Sequence, residues 1–335
     1  MSVDDIVLDI RDLTTEFLVG GRWHAAVRGL SLALRRNETL AVVGESGSGK
    51  SVAALSLLRL LPQAGARIGG GEIRFAGRNL VALSEDDMAE IRGNAIAMIF
   101  QEPMTALNPT MTVGQQIAEA VLTHRRVSRA EAVVEAIRLL EEVRIPSAAS
   151  RVHDYPHQFS GGMRQRVMIA MALACRPSVL LADEPTTALD VTIQAQVLAL
   201  LSELKTAHGL AVLFITHNLG VVAQIADRVA VMHAGEVVEL APVGELFARP
   251  LHPYTAALLR AMPRVDVDSE DLEPIPGQVP SIAAVPPGCA FAPRCSFRQR
   301  VCVQERPALV AIDGGHEHFV RCPVRAPAQG LARRS

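Results

Sequence analysis

The first two thirds of the chain alternate short apolar runs with segments of helical character. Helix-forming segments are predicted at residues 52–61, where Pro62 would stop the helix, at 112–145, at 167–175, and in a segment that runs through Leu204. Apolar strands that alternate with helices favour an α/β fold. Four apolar runs predict buried strands: Thr39–Val43, Ala95–Phe100, Ser178–Glu184 and Leu210–His217.

The N-terminal region has a different pattern, typical of an exposed sheet. Residues 3–10 and 13–19 alternate between apolar and polar positions, and Gly20-Gly21 predicts the turn of a hairpin. A second turn is predicted at Asn37-Glu38, because Asn tolerates a left-handed backbone. Gly71–Phe75 reads as a further strand. This part of the chain therefore adds a separate sheet to the α/β fold.

Composition and charge narrow the class of protein. The chain has 335 residues, of which 49% are hydrophobic, enough for two domains with a sizeable core. Its net charge of −2 argues against a dominant nucleic-acid surface. The acidic Met1–Asp5 precedes no long apolar run, and no stretch of 18 apolar residues occurs. We therefore expect a cytosolic protein that reaches a membrane only through partners.

A phosphate-binding loop is predicted at Gly44–Ser51, which fits the pattern G-x-x-x-x-G-K-[ST]. A predicted strand precedes it and a predicted helix follows it, which disfavours a simple flexible Gly/Ser turn. Lys50 would reach the β- and γ-phosphates, and the Ser51 hydroxyl would ligate Mg²⁺. The backbone would wrap the phosphates through the residues between them: Ser46, Gly47, Ser48 and Gly49.

Polar residues stand at the ends of three predicted strands, where open α/β sheets present ligand-binding groups. Gln101 follows one strand and could reach Mg²⁺ or its water. Asp183 and Glu184 end another, with Asp183 suited to Mg²⁺ through water and Glu184 to polarising the attacking water. His217 could contact the γ-phosphate and hold Glu184 and water in place, although a lone strand-end histidine is often structural.

A second anion site is predicted where Ser160, Gly161 and Gly162 open a helix. Ser160 is a good N-cap, and glycines at a helix start expose backbone N–H groups to an anion. Because Gly44–Ser51 already provides a phosphate site, the economical interpretation is that this one serves the nucleotide of another subunit.

Together these segments resemble the ATP-binding subunits of ABC transporters, in the family's order over about residues 5–245. The resemblance implies a RecA-like core, an antiparallel β subdomain and a helical signature subdomain, in a dimer that sandwiches two Mg·ATP. The motifs are Walker A at Gly44–Ser51, the Q-loop at Gln101, the signature at Ser160–Arg166, Walker B at Leu180–Glu184, the D-loop at Ala188–Asp190 and the switch histidine at His217.

The resemblance also assigns the remaining nucleotide contacts. Each Walker A loop would face the partner's signature, with Asp190 beside it. By strand position Phe17 best matches the aromatic residue that stacks on adenine, with Trp23 second, although strand aromatics usually just pack. The usual signature glutamine is Met163 here, which removes a side-chain amide.

The C-terminal region resembles the extension of oligopeptide and dipeptide importer ATPases, in particular the D-type dipeptide subunit. The resemblance rests on Arg249–Thr255 and Ile275–Pro280. It implies a domain at 1–245 and an extension at 246–335. Residues 263–288 are rich in proline and acidic residues and are predicted to be a linker. The implied partners are a homologous second ATPase, two transmembrane permeases and an extracytoplasmic peptide-binding protein, at the cytoplasmic face of the inner membrane.

The cargo and the wider class stay open at this point. The chain could serve a dipeptide, a longer peptide, or a glutathione-like, nickel or opine cargo. A non-transport ABC ATPase and a P-loop kinase or GTPase are the rivals. Near-neutral charge counts against the first, and the Ser-Gly-Gly helix start counts against the second.

Four of the five cysteines fall in the last fifty residues, which suggests a second module. Cys175 stands alone in an apolar helical run and is expected to be a small buried side chain. In a reducing cytosol four thiolates suit Zn²⁺ or an iron–sulfur cluster better than disulfides. The related importers imply a 4Fe–4S cluster, so we expect one on Cys289, Cys295, Cys302 and Cys322. Because this region lies outside the nucleotide motifs, we expect it to affect its own order more than ATP binding.

Overall fold

The structure is a computed structural model, and it describes residues 5–102, 106–187, 189–262, 274–312 and 317–325. The chain forms two compact units. Unit 1 comprises residues 1–8, 33–39 and 74–215, and unit 2 comprises residues 9–32, 40–73 and 216–335. Neither unit is continuous in sequence, so each is assembled from distant segments.

The elements within the described residues confirm a mixed α/β fold. The strands are β1 (Ile6–Val19), β2 (Arg22–Arg35), β3 (Thr39–Val43), β4 (Ala66–Phe75), β5 (Arg78–Asn79), β6 (Ile96–Ile99), β7 (Val179–Asp183), β8 (Ala211–Thr216), β9 (Arg228–His233), β10 (Glu236–Pro242), β11 (Val310–Ala311) and β12 (Phe319–Val320). The helices are α1 (Lys50–Leu57), α2 (Glu85–Ile91), α3 (Val113–His124), α4 (Arg129–Glu142), α5 (Ala148–Arg151), α6 (Gly161–Leu173), α7 (Val191–His208), α8 (Leu219–Ile225), α9 (Val243–Ala248), α10 (Pro253–Arg260) and α11 (Val301–Gln304). Single 3-10 turns occur at Leu80–Ala82, Pro156–Gln158 and Ala292–Arg294.

Unit 1 contains three parallel strands in the order β8-β7-β6. Every residue of β7 is buried, as its continuous apolar sequence predicts. The helices α3, α4 and α6 pack against one another, and α6 also contacts β6 and α7. Capping boxes at Thr112–Gln115 and Ser128–Glu131 begin α3 and α4, so the predicted helical segment 112–145 divides into two helices.

Unit 2 contains strands in the order β11-β12-β10-β9-β3. The pair β3 and β9 is parallel, whereas β9, β10, β12 and β11 are joined by antiparallel pairs. Its core surrounds the fully buried Tyr254 on α10. Because β11 and β12 come from the last thirty residues described, the C-terminal segment extends this sheet and does not form an isolated module. The predicted boundary between 245 and 246 stays a prediction.

The N-terminal sheet has the strand order β2-β1-β4-β5, with β4 and β5 antiparallel. The predicted glycine turn joins β1 to β2, with positive φ at Gly20 and Gly21. β1 is one continuous strand and not two. The break in its alternation falls at Asp12, whose φ of 50° places it in the left-handed region. There the Asp12 N–H donates to Ser31 Oγ at 2.9 Å, so an irregular residue shifts the alternation without ending the strand.

Helix α1 ends earlier than predicted, at Leu57 and not at Leu61. Arg59 adopts φ 53°, and its N–H donates to the Ser56 carbonyl while the Leu60 N–H donates to the Leu55 carbonyl. These two hydrogen bonds form a Schellman motif, which satisfies the last carbonyls before Pro62 is reached. The left-handed residue of this motif is usually glycine. Because arginine occupies the position here, the sequence gives no local signal that the helix ends.

None of the helices among the described residues is both long enough and apolar enough to cross a lipid bilayer.

Candidate active site

The Gly44–Ser51 loop lies between β3 and α1 in unit 2, as predicted. Two of its glycines are required by close backbone approaches. A Cβ at Gly44 would lie 2.1 Å from the Met232 carbonyl oxygen, and one at Gly49, where φ is 99°, would lie 2.7 Å from the Ala26 carbonyl oxygen. Any side chain at either position would therefore displace neighbouring backbone.

The polar groups of the loop suit an anion. Lys50 is buried, and its Nζ donates to the carbonyl oxygens of Gly44 at 2.8 Å and Glu45 at 3.0 Å. Ser48 Oγ is buried with no hydrogen-bond partner in the described residues. A buried hydroxyl and a lysine held by loop carbonyls both have hydrogen-bonding capacity for a phosphate oxygen. The rest of the loop lies nearer the surface: Ser46 and Gly47 are exposed, and Gly49 and Ser51 are half-buried.

Unit 1 brings Gln101 and Glu184 together. The parallel pairing of β6 with β7 places their ends side by side, with Ile99 opposite Ala182. Gln101 Nε2 donates to Glu184 Oε2 at 3.4 Å, and Thr187 Oγ1 donates to the same oxygen at 2.9 Å. The sequence pattern gave no indication of the Thr187 contact.

Asp183 and Glu184 differ in environment, in line with the different roles predicted for them. Asp183 is the last residue of β7 and is buried, whereas Glu184 is half-buried just beyond the strand. The backbone of Glu184 has φ 46°, in the left-handed region that non-glycine residues such as glutamate rarely adopt. Its N–H donates to the Ile215 carbonyl at 2.9 Å. Strained backbone held by the fold is concentrated at functional sites, which supports a chemical role for Glu184.

The predicted Ser-Gly-Gly start of α6 is confirmed. Ser160 is the N-cap, and its Oγ accepts a hydrogen bond from the Met163 N–H at 3.4 Å. Gly162 is buried, and a Cβ there would lie 2.4 Å from Ile193 Cγ2 in the first turn of α7. A Cβ at the exposed Gly161 would meet only Leu189 Cδ2, at 3.8 Å. The signature and the segment 189–193 therefore pack together.

The remaining predicted nucleotide contacts lie at helix caps, at strand ends and in the N-terminal sheet. Asp190 is the N-cap of α7 and accepts a hydrogen bond from the Ile193 N–H at 3.0 Å, while Ala188 lies outside the described residues. His217, in unit 2, follows β8 and is exposed. Phe17 is half-buried on β1, and Trp23 on β2 is covered on one face by the Arg67 guanidinium, 4.1 Å from the ring centroid.

The phosphate loop has partners from the C-terminal segment that the sequence analysis missed. The Glu45 carboxylate forms two hydrogen bonds with the Arg294 guanidinium, at 2.7 and 2.8 Å. The Glu45 N–H donates to Tyr254 Oη at 2.9 Å. Partial burial opposes ionisation of Glu45, but the hydrogen bonds and charge of Arg294 outweigh it and lower the pKa of this carboxyl below 4.5.

The four C-terminal cysteines line one cavity together with apolar side chains, among them Phe291, Phe297 and Val324. Within the part of the chain that the structure describes, however, no three His, Cys, Asp or Glu side chains converge closely enough to hold a metal ion. The geometry of the described residues therefore does not support the predicted metal centre. Burial raises the pKa of Cys289 to about 11 and raises those of Cys295 and Cys322 as well. Cys175 is half-buried and accordingly only partly fits its predicted packing role.

Comparison with known proteins assigns the family. The model of the family described as "ABC transporter" matches residues 27–187, and that described as "Oligopeptide/dipeptide transporter, C-terminal region" matches residues 238–302. A probable peptide ABC transporter ATP-binding protein, y4tR, of Sinorhizobium fredii is 56% identical, over 93% of each chain. The chain belongs to the ABC transporter family. The dipeptide transport ATP-binding protein DppD of Bacillus subtilis is 50% identical, over 92% of each chain.

Solved structures agree with this assignment. A dimeric, post-hydrolysis state of the ATP-binding cassette MJ0796 bound to ADP and Pi matches with a TM-score of 0.63 and 27% identity. The match covers 70% of this ABC transporter subunit and 98% of that chain. The subunit is therefore an ATP-hydrolysing ABC cassette, and ATP with Mg²⁺ fits its motifs. The rival assignment to a P-loop kinase or GTPase is excluded by family membership.

Proposed function

We propose that this subunit powers the import of dipeptides or short oligopeptides by hydrolysing ATP on the cytoplasmic face of the inner membrane. One observation carries the proposal. The phosphate loop lies in the same folded unit as the C-terminal segment, which matches the oligopeptide/dipeptide transporter family. Relatives of similar length are named as peptide and dipeptide transport ATP-binding proteins, which supports the same cargo class.

The phosphate loop is proposed to hold the triphosphate. The N–H groups of residues 46–51 and the start of α1 would surround the β- and γ-phosphates. Lys50 would exchange its bonds to the loop carbonyls for bonds to phosphate oxygens, and the orphaned Ser48 hydroxyl would find a partner. We assign Mg²⁺ to Ser51, Gln101 and Asp183, where the ion would offset charge on the phosphates. Phe17 is our candidate for stacking on adenine.

Glu184 is proposed to polarise the attacking water. Its carboxylate accepts hydrogen bonds from Gln101 and Thr187 at Oε2, and these two contacts orient it. This orientation is the pre-positioning that general-base catalysis requires. His217 is assigned to the γ-phosphate and to holding that water. In-line attack would then depend mainly on positioning and electrostatics.

Two such subunits are proposed to sandwich the nucleotides. The signature residues Ser160, Gly161 and Gly162, with Asp190 beside them, would contact ATP bound to the partner's Walker A loop. The partner is proposed to be a homologous second ATPase. Closure of the pair would change the conformation of two permease subunits, which would contact the segment that follows Gln101. Residues 103–105 of this segment lie outside the described residues. A peptide-binding protein outside the membrane would deliver the cargo.

A cysteine-bound cofactor in the C-terminal segment remains a proposal. Its support is that Cys289, Cys295, Cys302 and Cys322 line a single cavity with no carboxylate among its lining residues. Thiolate ligation would hold this loop-rich segment together. Anaerobically purified protein should contain about four irons per chain, whereas protein without iron and sulfide would contradict the proposal.

Uptake by reconstituted vesicles tests the proposed function. The subunit is assembled with its co-purifying permeases, the vesicles are loaded with ATP, and labelled dipeptide, longer peptide, nickel, glutathione and opine are offered with the binding protein. We expect ATP-dependent accumulation of a peptide, and none when Glu184→Gln replaces the wild-type subunit. Accumulation of a non-peptide cargo alone would contradict peptide import, and co-purification with nucleic acid in place of membrane proteins would contradict transport.

A further inference from the structure

Glu45, the second residue of the phosphate loop, is held at all of its polar groups. Lys50 Nζ donates to the Glu45 carbonyl, and Tyr254 Oη accepts from the Glu45 N–H. Both terminal nitrogens of Arg294 donate to the Glu45 carboxylate. Lys50 belongs to the loop's own helix. The other two contacts come from positions more than two hundred residues further along the chain, and all belong to unit 2.

Both distant contacts are fixed by their surroundings. The Arg294 side chain is only 5% exposed, and its Nε donates to the Pro276 carbonyl at 2.8 Å, so the guanidinium plane is set before it reaches Glu45. Tyr254 is fully buried, with its ring 5.2 Å from Phe291 and 4.5 Å from His233 between centroids. These are rigid anchors, because neither side chain can change rotamer without breaking buried packing.

The anchors also differ from Lys50 in what happens when ATP binds. Lys50 is the proposed phosphate ligand, so its bonds to the loop carbonyls must be given up. Arg294 and Tyr254 contact the loop through Glu45 and not through Lys50, so both can keep the loop in place through that exchange. A bidentate Arg–carboxylate pair adds directional restraint as well as energy, and partly buried charge-assisted bonds are the stronger class.

We infer that Arg294 and Tyr254 are positioning residues for the phosphate loop, through which the C-terminal segment sets the affinity for Mg·ATP. The inference rests on the proposed phosphate-binding role of Gly44–Ser51. It departs from the expectation that this region affects its own order more than ATP binding.

The experiment measures Mg·ATP affinity, KM and kcat for the assembled transporter with single and combined variants. We expect Arg294→Ala and Glu45→Gln each to raise the Kd and KM about tenfold with kcat within about twofold, which corresponds to about 1.4 kcal/mol of binding. The double variant should be no worse than either single one, because both remove the same contact. Arg294→Lys should recover part of the affinity, since it keeps the charge and loses the fork.

Arg298→Ala is the matched control, because Arg298 is an exposed arginine of the same segment. Tyr254→Phe is a second probe that keeps the buried ring and removes the hydroxyl that contacts Glu45, and it should also raise the Kd. Equal Kd values for Arg294→Ala, Tyr254→Phe and Arg298→Ala would overturn the inference, as would additive effects of Arg294→Ala and Glu45→Gln. Failure of the wild-type transporter to bind Mg·ATP would instead overturn the proposed function.

Discussion

Replacing Gly162 with alanine should destabilise the chain for a reason that a second substitution can remove. The new Cβ would lie 2.4 Å from Ile193 Cγ2, well inside the 3.0 Å that real Cβ contacts essentially never cross. Isoleucine in a helix has one strongly preferred χ1 rotamer, so this methyl group cannot swing away. The backbone of α6 or α7 must shift, which introduces strain at the signature.

The magnitude follows from two opposing effects. Overpacking of this kind costs about 1–3 kcal/mol. Alanine recovers up to about 1 kcal/mol over glycine through helix propensity, and less at a helix start. We therefore expect Gly162→Ala to lower the free energy of unfolding by about 1–2 kcal/mol. In an Ile193→Ala background the contacting methyl is gone, so the same change should be neutral or slightly stabilising.

Urea unfolding followed by circular dichroism gives the free energy of unfolding of each protein in this double-mutant cycle. The four proteins are the wild type, Gly162→Ala, Ile193→Ala and the double variant. Gly161→Ala is the matched control, because its Cβ would meet its nearest neighbour, Leu189 Cδ2, at an ordinary 3.8 Å. Gly161→Ala should leave the free energy of unfolding unchanged. If Gly162→Ala and Ile193→Ala were additive, or if Gly161→Ala were equally destabilising, the packing explanation for this glycine would be refuted.

Three further predictions concern the proposed site. Glu184→Gln should bind Mg·ATP, turn it over at least about a hundredfold more slowly and accumulate as a closed dimer in size-exclusion chromatography; near-normal turnover would remove Glu184 from the base role. Ser160→Arg should block hydrolysis at the partner's Walker A and leave this chain's own ATP binding intact, and loss of its own binding would contradict the sandwich. Because the folded pKa of Glu45 is lowered, its pair with Arg294 stabilises the fold fully above about pH 4.5, and this contribution is lost as pH falls through the folded value. The stability advantage of wild type over Glu45→Gln should therefore shrink in acid denaturation below pH 4.5, and a constant difference would contradict the pairing.

Sequence reasoning succeeded where one local pattern determines one element. The buried strands β3, β6, β7 and β8 each begin and end within two residues of their predicted bounds, because continuous apolar runs between turn signals have few other interpretations. It failed where an unexpected residue took a left-handed backbone. Arg59 ended α1 early and Asp12 interrupted the alternation of β1. Arginine gives no signal for positive φ, and aspartate, although enriched there, adopts it in only a minority of cases.

The candidate site shows the same division. The phosphate loop and the Ser160 cap are local motifs, and the structure contains both as predicted. Contacts that join distant segments had no signal in a single sequence. Thr187 turns towards Glu184 only because the backbone turns sharply at Glu184, and Gly162 needs to be glycine only because α7 crosses it. Such requirements depend on packing and not on pattern.

The C-terminal segment carries this argument furthest. Its cysteines drew attention because their spacing is visible in the sequence, and spacing suggested a self-contained module. The structure instead joins β12 to β10 in the sheet and joins Arg294 to Glu45 across 249 positions of sequence. A charge pair of that separation forms only when the intervening fold brings its members together, so no local pattern could indicate it. The segment is thus part of the unit that contains the phosphate loop, and its effect on nucleotide binding becomes the property most worth measuring.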